Sequence, residues 1–175
     1  MKRFSRLSLV LIVLMSVAFL GACASGSSSG PGTGGEGAYC PAPAGQAVMD
    51  YITKENPYQN WDLWPGKGKL YKGQHPHGSY LTTYVSPLAH GAIEDKAGEI
   101  PDTAFIVKEN YTSRKVLAAV TVMYKKTGYN AAAGDWFWLK YTPDGKIEAE
   151  GKVAGCIGCH IAVKSNDWLF TGPTK

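Results

Sequence analysis

Two cysteines and a histidine near the end of the chain have the spacing for chemistry: Cys156-Ile157-Gly158-Cys159-His160. Thiols held at this spacing can bond the two vinyl groups of one haem as thioethers. A histidine directly after the second thiol can then ligate the iron, which is the attachment pattern of a c-type haem. A redox-active C-x-x-C pair and a chance pair of cysteines are the competing readings. Neither needs the adjacent histidine, and both leave the export signal at the N-terminus as a coincidence. The motif predicts one covalent haem c, carried by Cys156 and Cys159, with His160 on the iron.

Other residues could act on such a haem. Gln74-His75-Pro76-His77-Gly78 is a loop with two histidines. Either histidine could be a distal ligand or proton donor, although a polar surface turn has the same composition. Met123 could be an axial ligand, but a methionine in so apolar a stretch first reads as core. His90, on a short helix, reads as a packed or half-exposed residue. Lys108 lies in Thr103-Ala104-Phe105-Ile106-Val107-Lys108-Glu109, where period two puts it on one face with Ala104 and Ile106. It either snorkels to water from an edge strand or points at the haem.

The N-terminus supplies the compartment. Lys2, Arg3 and Arg6 precede an apolar run, Leu7 to Leu20, too short to span a bilayer comfortably. The run ends in Leu20-Gly21-Ala22-Cys23, which resembles a bacterial lipobox. Residues 1–22 are thus expected to be a lipoprotein signal, with Cys23 lipidated. Ordinary cleavage, with Cys23 incidental, is the plainer alternative. Ala24 follows in place of an inner-membrane retention aspartate, so by resemblance to Gram-negative lipoproteins the expected anchor is the outer membrane, on its periplasmic side or at the cell surface. Residues 23–39 hold the lipidated cysteine and a Gly/Ser tether that cannot bury enough apolar surface to fold. Its reach is roughly 20 Å. Residues 40–175 are expected to form one haem domain.

Charge adds little. The formal net charge is +4, but three of the 18 basic residues lie in the signal and all 14 acidic residues follow it. The exported part is therefore close to neutral. It has no basic run, so nucleic-acid binding has no support. Of the four cysteines, Cys40 is left over, as a buried thiol by preference or an intermolecular disulfide.

The elements that must position these groups follow from periodicity. Ala44 to Glu55 reads as a helix with Ala47, Val48, Tyr51 and Ile52 on one face. Strands are expected at Lys69–Lys72, Ser79–Val85, Thr103–Glu109, Lys115–Lys125, Asp135–Tyr141 and Lys146–Glu150. A helix starts at Ser86-Pro87, serine as N-cap and proline at N1. Lys115–Lys125 is apolar on both faces, so it should be central and covered on both sides. Pro143-Asp144-Gly145 should be a tight turn. The short connections favour antiparallel pairing. The fold class is α+β: an antiparallel β-sheet with flanking helices at one side, enclosing one covalently attached haem.

The late C-x-x-C-H after a β-rich domain is unusual. With Pro101-Asp102-Thr103-Ala104-Phe105-Ile106-Val107-Lys108-Glu109-Asn110, Gly134-Asp135-Trp136-Phe137-Trp138 and Asp167-Trp168-Leu169-Phe170-Thr171, it resembles the cytochrome P-460 family. The likeness runs from about Ala44 to Thr171. It implies a haem on Cys156 and Cys159, His160 on the iron, an open or water-bound sixth position, and often a homodimer. Lys108 matches the lysine that, in the nitrifiers' enzymes, is joined to the porphyrin edge. Those enzymes oxidise hydroxylamine and pass electrons to a soluble cytochrome, so a redox partner cytochrome and a small nitrogenous substrate are implied. The sister β-type cytochromes c′ lack the lysine bond and bind nitric oxide. One departure stands out: the family's arginine on the strand corresponding to Ser79–Val85 is absent, those positions being Tyr80, Leu81, Thr82 and Thr83. An electron carrier is a third reading, and it would need a second strong axial ligand from Met123, His75 or His77.

Overall fold

The central strand is the expected one. In the computed structural model, which describes residues 40–175, Leu117–Lys125 lies between two other long strands with apolar side chains on both faces. The seven strands are β1 (Asp62–Leu63), β2 (Tyr71–Lys72), β3 (Tyr80–Val85), β4 (Phe105–Tyr111), β5 (Leu117–Lys125), β6 (Trp136–Tyr141) and β7 (Ile147–Gly151). They form one sheet in the order β1-β3-β4-β5-β6-β7, with β2 also paired to β3, and every pairing is antiparallel. Among the described residues three α-helices accompany it: α1 (Gly45–Asp50), α2 (Pro87–Glu94) and α3 (Ala154–His160).

Strand alternation sorts the side chains into two cores. Phe105 and Val107 of β4 join Val120, Val122 and Tyr124 of β5 and Phe137, Leu139 and Tyr141 of β6 on one face. The rings of Phe105 and Tyr124 stack there with centroids 4.2 Å apart. Ala104, Ile106, Met123, Trp136 and Trp138 occupy the other face, joined by Trp168 and Leu169 from the C-terminal segment. Helices cover both faces, not one as expected. Val48 of α1, with Ile52, packs on the first core, and Ala89 and Ile93 of α2 pack on the second. A sheet whose central strand is apolar on both sides exposes too much surface if only one face is covered.

Local details depart from the sequence reading in small ways. The first helix widens after Asp50 into a π-helical turn, Tyr51–Glu55, closed by the Asn56 amide donating to the Tyr51 carbonyl at 2.8 Å. Ser86 sits at the N-cap of α2 with Pro87 first in the helix, but its side chain does not cap. Its hydroxyl instead accepts the Phe105 amide at 2.9 Å, tying α2 to β4. The exposed Val116 lies outside β5. The turn at 143–145 forms as expected, with Gly145 at φ 86°. Cys40 is half-buried and disulfide-bonded, which sets aside the buried-thiol reading; Cys156 and Cys159 are free thiols. The signal, Cys23 and the tether lie outside the described residues.

Candidate functional site

Helix geometry explains the C-x-x-C-H spacing. Cys156, Cys159 and His160 all fall on α3 at positions i, i+3 and i+4, so they form one stripe on one helix face. His160 is 5 % exposed, Cys156 is half-buried and Cys159 is exposed. The imidazole is therefore inside while the thiols stand toward the opening. Burial pushes the Cys156 thiol up from its ordinary value.

The tautomer of His160 follows from its partner. Its Nδ1 lies 2.6 Å from the carbonyl oxygen of Trp168. A carbonyl only accepts, so Nδ1 carries the proton and Nε2 keeps a free lone pair, as a metal-ligating histidine needs. Burial holds His160 below its usual value, against the opposing pull of this hydrogen bond, so the imidazole is neutral. The rings of Trp138 and Phe170 stand edge-on to the imidazole, with centroids 4.7 and 5.1 Å away. These contacts fix the plane of the ring.

The Trp168 carbonyl is itself held in place. Asp167 and Trp168 are both in the left-handed region, at φ 49° and 67°, a conformation that costs a non-glycine residue roughly 1 kcal/mol or more. Neighbouring groups offset that cost. The Asp167 carboxylate accepts from Lys125 Nζ at 2.7 Å and from the Ile100 amide at 2.8 Å. The indole of Trp136 donates to the Asp167 carbonyl at 3.1 Å. Lys125 also lies 3.3 Å from Glu99, and its ammonium sits over the Trp136 ring. The segment Asp167-Trp168-Leu169-Phe170 thus supports His160 from behind, and through Phe170 it forms part of the cavity wall.

Two cavities meet at this histidine. One, of about 360 Å³, lies between loop 73–77, Tyr71, Leu81, Lys108 and Phe170. The other, of about 620 Å³, lies between Asn110, Met123, Trp138 and Cys156. His77, Cys159 and His160 line both. Lys108 points into the first cavity, on the same sheet face as Ala104 and Ile106, opposite Thr83 and Thr121. Burial pushes its ammonium down to about 8. Glu109 faces the other core, where the Tyr58 and Tyr111 hydroxyls donate to its carboxylate at 3.0 and 2.7 Å. Alternation thus keeps it from the cavity, as expected.

The remaining candidates separate clearly. His77 lies against the site, its ring centroid 6.1 Å from that of His160. His75 is exposed at the cavity mouth. His90 pairs with Glu94 at 3.6 Å on α2 and lines neither cavity. Met123 is packed in the second core and also lines the larger cavity. Sequence reasoning missed Asn110, although period two from Lys108 puts it on the same face. It also gave no role to the Trp168 carbonyl, which no side-chain pattern can reveal.

The site suits a haem on its own chemistry. It offers two free thiols, an imidazole with Nε2 unprotonated, and, in the larger cavity, mainly apolar walls. The Trp138 indole N–H is buried and has no acceptor within the described residues, so an added acceptor such as a haem carboxylate would satisfy it. Lys67, Lys72 and Lys140 stand along the two cavities, where positive charge offsets haem carboxylates.

Comparison with known proteins agrees. No curated protein matches the chain. The family model for cytochrome P460 matches residues 56–171, from just after the first helix to the end of the segment behind His160. The chain belongs to the cytochrome P460 family.

Proposed function

We propose that this is a membrane-anchored mono-haem c-type cytochrome that oxidises hydroxylamine or a related small nitrogen compound. The observation that carries the reading is Lys108, which shares a cavity with Cys159 and His160 and has its ammonium pushed down to about 8 by burial. Bound haem supplies an iron that accepts a small nitrogenous ligand and relays its electrons to a partner cytochrome. Cys156 and Cys159 would fix the macrocycle through thioethers. His160 offers Nε2, with its plane and basicity set by Trp168. Lys108 has a larger neutral fraction than a surface lysine, and the neutral amine is the form that can bond a porphyrin carbon. Such a link would alter the macrocycle and its reactivity.

A second reading has its own observation. Strand β3 presents Leu81 and Thr83 beside Lys108 and carries no arginine, so the pocket suits a neutral diatomic ligand such as nitric oxide. The ferrous spectrum and hydroxylamine turnover separate the two. A broad, red-shifted Soret band that disappears in Lys108→Leu, with turnover in the parent protein, supports the enzyme. An ordinary c-haem spectrum, unchanged in Lys108→Leu and without turnover, supports the ligand binder.

Export and lipidation at Cys23 place the domain beside a membrane in this reading.

A further inference from the structure

We infer that His77 is the second axial ligand of the haem iron, opposite His160, so that the resting site is closed by a loop histidine which a small ligand must displace. The inference rests on the haem reading of Cys156, Cys159 and His160 and departs from the open or water-bound sixth position that the family resemblance implies.

Three observations carry it. The first is separation. The ring centroids of His77 and His160 are 6.1 Å apart, with their planes at 86°. An imidazole nitrogen sits about 2 Å from a metal it binds and about 1 Å from its own ring centre, so two imidazoles on opposite sides of one metal hold their centroids roughly 6 Å apart. The two rings are spaced as one shared metal would space them.

The second is the tautomer. His77 Nδ1 lies 3.1 Å from Asn110 Oδ1. The Asn110 amide cannot be turned round, because its Nδ2 donates to the carbonyls of Lys108 at 2.9 Å and Ala119 at 3.2 Å, which only accept. Oδ1 therefore faces His77, Nδ1 of His77 carries the proton, and Nε2 keeps its lone pair. Asn110 is 4 % exposed, so this orientation is firmly held. Both histidines thus have the same state, Nδ1 tied to a protein oxygen and Nε2 free.

The third is placement. Both histidines line both cavities, so the line between the rings is bordered by each. A flat macrocycle centred on that line would extend into both. Gly78 makes the approach work: it has φ 126°, and a Cβ there would lie 2.7 Å from the Tyr111 carbonyl oxygen. Only glycine lets the loop press so closely on β4 and bring His77 to Asn110. Met123, the other soft donor on the cavity wall, is committed to the second core. The loop can also let go, since His75 and Pro76 are exposed and nothing there is fully buried.

The test uses the full-length holoprotein. A pyridine haemochrome assay first counts the haem. Its absence would defeat the haem reading itself, whereas the spin state of a haem that is present reports on His77 alone. The ferric protein should give a low-spin electron paramagnetic resonance signal. His77→Ala should turn it high-spin, added imidazole should restore the low-spin signal, and His75→Ala should stay low-spin. Asn110→Ala keeps the ligand but frees its ring, and should bind cyanide at least about tenfold faster. A high-spin parent protein overturns the inference, as does a low-spin signal that survives in His77→Ala. Cyanide binding unchanged in Asn110→Ala overturns the supporting role of Asn110.

Discussion

At the scale of single residues, the site is supported by groups that never reach its centre. Lys125 is the clearest. Its ammonium is buried and bonded to Asp167, which is buried in turn. Burial raises the Asp167 carboxyl, and the contact with Lys125 opposes that rise. Removing one member leaves the other charged and dry, so Lys125→Met should cost about 3–5 kcal/mol. Urea unfolding measures it; a loss below about 1 kcal/mol would show that the pair is solvated. The same variant should weaken the hold on the Trp168 carbonyl and change the spectrum of the bound haem. Lys108→Leu should leave haem attached, because the proposed attachment is through Cys156 and Cys159, and mass spectrometry of the intact chain checks this.

At the scale of elements, one glycine ties the sheet to the histidine. Gly134 precedes β6 at φ 67°, and a Cβ there would lie 2.6 Å from the Trp168 ring. Gly134→Ala is therefore strained twice, by its backbone and by the indole. It should destabilise the fold by about 1–3 kcal/mol and push Trp168, with its carbonyl, away from His160. Calorimetry reads the first effect and a shift of the ferric haem spectrum the second. A variant with parent-like stability and spectrum would mean that the C-terminal segment yields freely.

The whole molecule divides its chemistry between the faces of the sheet. One face holds the haem site; the other buries Glu109 among tyrosines. Burial raises Tyr58 and Tyr141 above their ordinary range, with the Glu109 charge adding to it, and pushes Tyr111 up to about 12. Unfolded tyrosines ionise near about pH 10. Between that value and their raised folded values, the unfolded state gives up protons that the native state keeps. Stability from these groups is complete below about pH 10 and is lost as pH rises through the folded values. The urea midpoint should therefore fall above about pH 10, and less steeply in Tyr58→Phe, provided that variant folds. On the larger scale of the cell, Cys23→Ser should release the protein from membranes, and continued membrane association would defeat the lipid anchor.

The sequence alone determined what is local or covalent. The C-x-x-C-H motif is legible because its helical spacing acts within five neighbouring residues. The strands are legible because alternation is a property of the strand itself, and it put Lys108 and Glu109 on opposite faces. Tertiary structure decided what joins distant residues. His77 meets Asn110 across 33 positions and Lys125 meets Asp167 across 42, and no local period links such pairs. It also decided the covering of both sheet faces, since which helix packs where depends on how much apolar surface remains after the strands pair. Above all, it decided the tautomer of His160, because the acceptor is a backbone carbonyl. Every residue has one, so its direction is set by the fold and not by the letter in the sequence.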